Sequence, residues 1–146
     1  MILFRSLRSR RNIFARITIK ENNQVTLQAF GNARGRGNYT RDGYPKKPYK
    51  IKFDEKQAVC GFPANKDWVL LSDYCDKSLL RTACMCDISE ALQIDYPVRY
   101  RHVHLYLNGE YKGVYLLTDQ IERKSGRSSS LVSRWSRRSL KTSQCP

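Results

Sequence analysis

The 146-residue sequence predicts an α+β fold, an antiparallel sheet carrying one packed helix. Three patterns predict it. Apolar and polar residues alternate over 13–20 and again over 47–53, the period-two signature of half-buried strands. Asn108-Gly109 stands between two further alternating runs, 103–107 and 110–117. Asn-Gly in that setting signals a tight hairpin, because both residues tolerate the positive φ of a type I′ turn. Between these sheet segments, Leu79, Leu80, Ala83, Cys84, Ile88, Ala91 and Leu92 recur at helical spacing.

Taken in order, Ile13, Ala15, Ile17 and Ile19 make the apolar face of a first strand. Glu21-Asn22-Asn23 supplies turn residues, and residues 25–29 continue as a second strand. Arg34-Gly35-Arg36-Gly37-Asn38-Tyr39-Thr40 then reads as a loop. Its alternate glycines let the backbone approach a ligand, and its arginines offer planar donors suited to phosphate oxygens. The strand behind it sets Lys50 and Lys52 on one face, opposite Tyr49, Ile51 and Phe53. A cationic loop feeding a lysine-bearing strand is a phosphate-site pattern. Arg36, flanked by Gly35 and Gly37, is the better-placed arginine; Lys52 is the favoured lysine, with Lys50 and Lys47 as alternatives. The competing reading of the lysines is the solvated face of an edge strand.

Residues 61–65 are punctuated as a loop, and 67–71 read as a short buried strand or helical turn, with Trp68 in the core. Asp76 is a good N-cap for a helix over about residues 77–93, which Tyr96-Pro97 ends. His102 and His104, two apart on a strand, could chelate a metal only with a third ligand that the sequence does not indicate. No internal repeat is present.

The net charge is +14, but its placement argues against a nucleic-acid face. Residues 1–16 hold five arginines and 123–146 seven basic residues, neither with an acid, whereas 17–122 carry fifteen basic and thirteen acidic side chains. The excess sits on the ends. Three segments result: a basic extension over 1–11, a domain over 12–122, and a Ser/Arg-rich tail over 123–146, read as disordered or frame-shifted. Five cysteines in no C-x-x-C pair read as small buried hydrophobes of a reducing compartment. No signal peptide and no apolar run of membrane-spanning length is evident, and the compartment is left open.

With these residues in hand, the chain resembles the spore coat protein H (CotH) kinase family. The resemblance is carried by Gly35-Arg36-Gly37-Asn38-Tyr39-Thr40, by Tyr44-Pro45-Lys46-Lys47-Pro48-Tyr49-Lys50-Ile51-Lys52-Phe53 and by Lys66-Asp67-Trp68-Val69-Leu70-Leu71. Asp76-Lys77-Ser78-Leu79-Leu80-Arg81 and the run from Leu107 through Asn108-Gly109 to Thr118 complete it. It spans roughly residues 12–122 and departs from the family at Tyr39, where serine is usual. The resemblance implies an atypical protein kinase that phosphorylates Ser/Thr of proteins with ATP and Mg or Mn. It implies a sheet resembling a kinase N-lobe, in which a loop covers the phosphates and a strand lysine holds them. On that scheme Glu90, with Asp87 as alternate, would orient the lysine from the helix. Gln120 and Glu122 would lie on the adenine side. Arg81 would reach a carboxylate near the site or form a structural ion pair.

The catalytic and metal-binding aspartates of such a kinase are expected beyond residue 122, in a further lobe, so this chain is read as an incomplete kinase, inactive alone and prone to aggregate. The alternative reading is a non-catalytic nucleotide- or protein-binding module of a coat or surface assembly. A protein substrate is the implied partner, with no specific nucleic acid and no membrane span.

Overall fold

The computed structural model describes residues 1–4, 13–94 and 97–120. Strands β1 (Ile2–Phe4), β2 (Ile13–Glu21), β3 (Gln24–Gly35) and β4 (Tyr49–Gln57) are followed by β5 (Asn65–Leu71), β6 (Tyr100–Leu107) and β7 (Glu110–Asp119). A single helical turn, α1 (Tyr39–Asp42), lies between β3 and β4, and α2 (Arg81–Ala91) between β5 and β6. The β2–β3 turn places Asn22 and Asn23 at φ 48° and 66°, and the β6–β7 turn places Asn108 and Gly109 at 53° and 86°. These are the positive values that a right-twisted two-residue hairpin demands.

The strands close into a barrel in the order β1-β2-β3-β4-β5-β7-β6. Every pairing is antiparallel except β1 with β6, where Ile2, Leu3 and Phe4 register with Leu105, Tyr106 and Leu107. One side of each strand fills the interior. Ile17, Ile51, Phe53, Trp68, Leu105 and Tyr115 are all at most 2% exposed. Burying such a side chain contributes roughly 1.5–3 kcal/mol, so the interior dominates stability. It is packed with side chains. Gly31 is required where β3 meets β4: a Cβ there would lie 2.6 Å from the Lys52 carbonyl oxygen and 3.0 Å from the Phe53 Cα.

The expectation of an α+β lobe, an open antiparallel sheet with a packed helix, is therefore corrected. The molecule is a closed β-barrel with little helix. The physical reason lies in β1. An open sheet would leave the free edges of β2 and β6 with unpaired backbone groups. Ile2–Phe4, within the stretch read as a basic extension, pairs with both and removes them. The helix is also shorter than expected and packs less. Of the seven apolar residues at helical spacing only Ala83 is buried, joined by Cys86. Leu80, Ile88 and Leu92 are 49–70% exposed. A barrel closed by its own strands needs no helix to cover its core.

Residues 67–71 are a strand, with both faces covered: Trp68 and Leu70 enter the barrel, and Val69, 1% exposed, packs on the outside. The tail over 123–146 and the Glu122 position lie outside the described residues.

Candidate functional site

Period-two alternation decides which strand residues reach the outer surface. On β4, Tyr49, Ile51 and Phe53 face inward, so Lys50 and Lys52 face outward as the sequence implies. They do not share one environment. Lys50 Nζ lies 3.1 Å from Asp67 Oδ1 of β5, and the two side chains are only 14% and 9% exposed. Lys52 is exposed.

Asp67 links Lys50 to the end of β7, because its carbonyl accepts the Gln120 backbone N–H at 3.1 Å. Gln120 Oε1 is buried and has no hydrogen-bond partner among the described residues. Lys50 of β4 and Asp67 of β5 thus pair through their side chains, and Gln120, just past β7, is tied to Asp67 through the backbone.

Next to them runs a cleft of about 390 Å³ between α2 and the outer face of the sheet. Its floor is Val69 and Leu71 of β5 with Thr118 of β7, and Val69 is the register neighbour of Lys50. Met85, Cys86 and Ser89 of α2 form the opposite wall, and Arg36 and Asp119 supply opposite charges at the edge. Burial pushes the Cys86 thiol up, and the negative charges of Asp87, Asp119 and Asp73 push it further.

The glycine–arginine segment is more ordered than a loose loop. Arg34 and Gly35 belong to β3, opposite Lys50 and Tyr49, and the Arg36 N–H donates to the Pro48 carbonyl at 2.9 Å. Gly37 sits at φ 81°, and a Cβ there would come within 2.4 Å of Thr40 Oγ1. Only glycine passes the chain from Arg36 into α1 without strain.

Glu90 is not brought to the lysines. It is exposed on α2 and lines a different depression, together with Asp87, Arg99, Tyr100 and His102. Asp87 accepts a hydrogen bond from the Tyr100 hydroxyl at 2.9 Å. Lys47 lies at the end of the barrel, away from the α2 cleft. His102 Nε2 is 3.1 Å from the Leu79 carbonyl, and His104 Nδ1 is 2.8 Å from the Tyr111 hydroxyl.

Asp76 is not the N-cap expected of it, a position that Leu80 holds, but its carboxylate still reaches the first helical N–H. Oδ2 accepts the Arg81 N–H at 2.8 Å, while Oδ1 accepts from the Ser78 N–H and hydroxyl. The Ser78 hydroxyl and these backbone donors hold the Asp76 carboxyl below its ordinary pKa. The sequence reading missed Asp67 and Asp119. Asp67 sits in an apolar run that reads as core, and its register partner on β4 is Lys52, yet its carboxylate pairs diagonally with Lys50.

A small closed barrel with a cation-bearing cleft beside α2 is the class of site the geometry defines. Residues 33–135 match the CotH kinase protein family, and the chain belongs to that family. The match takes in Arg36, Lys50, Asp67, α2 and Gln120, and it runs past the described end of β7. Comparison with curated proteins gives no match.

Proposed function

We propose that this chain binds ATP on the outer face of the barrel, its phosphates held by Lys50 and Arg36 and its adenine edge met by Gln120. The observation that carries the reading is the Lys50–Asp67 ion pair, nearly buried, in a chain of a kinase family. A strand lysine oriented by a carboxylate is the phosphate-holding device of kinases. Here Asp67, from the next strand, does what the sequence reading assigned to Glu90 on the helix. Burial favours Lys50 over Lys52, since a partly desolvated ammonium interacts more strongly with phosphate than a fully hydrated one.

The residues fit the nucleotide in two respects. The unpartnered Gln120 Oε1 is an acceptor in search of a donor, which the adenine amine provides. The apolar floor of Val69 and Leu71 suits a flat ring. A divalent ion, when bound, would neutralise charge between the phosphates, and Asp119 brings a carboxylate to the cleft. Phosphorylation of Ser/Thr in proteins is what the family implies. It needs carboxylates grouped to hold metal and to position the acceptor hydroxyl. Nucleotide binding is therefore the step assigned to the residues described.

The test is titration of the full chain with a fluorescent ATP analogue, followed by displacement with ATP. Lys50→Ala should weaken binding about tenfold or more, the worth of a charge-assisted contact of roughly 1.5–3 kcal/mol. Lys52→Ala should change it less than about twofold. A larger loss with Lys52→Ala, or wild-type affinity in both variants, overturns the assignment.

A further inference from the structure

A second recess lies at the end of the barrel where the β6–β7 hairpin turns, and it shares no lining residue with the α2 cleft. Its volume is about 830 Å³, within the range of ligand sites, and barrel mouths are common places for them.

Tyrosine rings build it. Tyr49 and Tyr115, whose centroids are 6.0 Å apart, come up from the core to form the floor. Lys46 Nζ lies 4.6 Å from the Tyr115 ring centroid. Two of its three protons go to the carbonyls of Ser72, at 2.6 Å, and Val114. The third is committed to no described acceptor, and an ammonium carries three donors.

One side of the recess is Pro45 with Tyr74. Tyr74 is held by Tyr44 at 5.3 Å and by the Lys77 ammonium at 4.5 Å from its ring centroid. Tyr111, 48% exposed, also lines it and is fixed by Tyr106 at 5.1 Å and by its hydrogen bond to His104. Rings locked by their neighbours lose little entropy when a guest covers them.

Charge narrows the guest. Lys46, Lys47 and Lys112 line the recess against a single described carboxylate, Glu110, which is paired with Lys112. The field favours an anionic guest. A nucleic acid would need a longer cationic track than these three lysines provide. Shape points to a peptide. Grooves lined by aromatic rings take up polyproline II segments, whose prolines lie against the rings and whose extended form is already populated when free.

We propose that this barrel-mouth groove docks an extended, acidic, proline-bearing peptide, its proline against Tyr74 and Tyr111 and its carboxylate on Lys47 and Lys46. The site is separate from the nucleotide reading and needs no ATP.

Fluorescence polarisation of the full chain with synthetic peptides of about ten residues tests it. The probes are a proline-rich peptide flanked by glutamates, the same peptide with its prolines changed to alanine, and the same peptide with lysine flanks. The acidic proline peptide should bind, and either replacement should weaken it about tenfold. Tyr111→Ala should weaken binding about tenfold with the melting temperature unchanged, because the ring stands outside the core. Lys47→Glu should remove the preference for glutamate flanks over lysine flanks.

Three results overturn the proposal: no binding of the acidic peptide at millimolar concentration, equal binding of the alanine peptide, or a Tyr111-dependent affinity for an oligothymidylate exceeding that for every peptide.

Discussion

Replacing Ile2 by alanine tests the closure of the barrel, the feature on which the rest of the geometry depends. Ile2 is fully buried, and it registers with Ile19 on one side and Leu105 on the other. Removing three carbons forfeits about 2.4 kcal/mol at roughly 0.8 kcal/mol per methylene, and a residual cavity adds to this. The loss has an upper limit. A strand of three residues can detach, so the cost cannot exceed the free energy with which β1 docks. We expect a loss of about 3 kcal/mol, which for a domain of this size is a fall in melting temperature of about 10 °C.

The assay is urea unfolding of the full chain followed by circular dichroism, with Phe14→Ala as the control. Phe14 is 63% exposed on the outer face, stacked on Phe30 at 5.4 Å, and its truncation should cost less than about 1 kcal/mol. An Ile2→Ala loss equal to or below that of the control would refute the closure argument, because β1 would then contribute nothing to the core.

Two further substitutions probe other parts of the molecule. Burial raises the Asp73 carboxyl above its ordinary pKa, as does Asp76, against lowering contributions from its Thr82 hydrogen bond and from Lys46 and His102. The folded state therefore holds this proton more tightly, and stability falls as pH rises from the unfolded carboxylate range through the raised folded value. Asp73→Asn, at a φ of 42° that asparagine tolerates, should match the wild type at acid pH and exceed it at neutral pH in paired thermal melts; a constant offset at all pH values would contradict this. Gly31→Ala should destabilise by about 1–3 kcal/mol in denaturant titration, since its Cβ meets backbone that cannot move aside; an unchanged midpoint would show that β3 and β4 separate freely.

Much of the sheet was legible in the sequence because alternation and turn chemistry are local. The Ile13–Glu21 strand, the Asn22-Asn23 turn and the Asn108-Gly109 hairpin all follow from residues within a few positions of one another. The helix was legible in place but not in role: its apolar spacing suggested a buried face, while Leu80, Ile88 and Leu92 are exposed. Periodicity states which residues share a face and cannot state whether anything covers it. Arg36, Lys50 and Lys52 stood out by type and spacing; the proposed preference for Lys50 rests on its burial against Asp67, which the sequence does not state.

Alternation and turn chemistry were enough to place individual strands, and the five family motifs were enough to identify a member of the CotH kinase family, while the α+β architecture expected from them was not what formed. Those features depend on near neighbours in the chain. The tertiary structure alone decided that β1 joins β2 to β6 across about a hundred residues of sequence and so turns a sheet into a barrel. It alone placed Asp67 against Lys50 and left Lys52 in water. It also sent Lys46 and Lys47 to the barrel mouth. The closure comes from strand pairing, a long-range quantity set by which pairings bury the most surface and leave the fewest backbone groups unpaired, and the Lys50–Asp67 pair is a diagonal contact between the neighbouring strands so aligned.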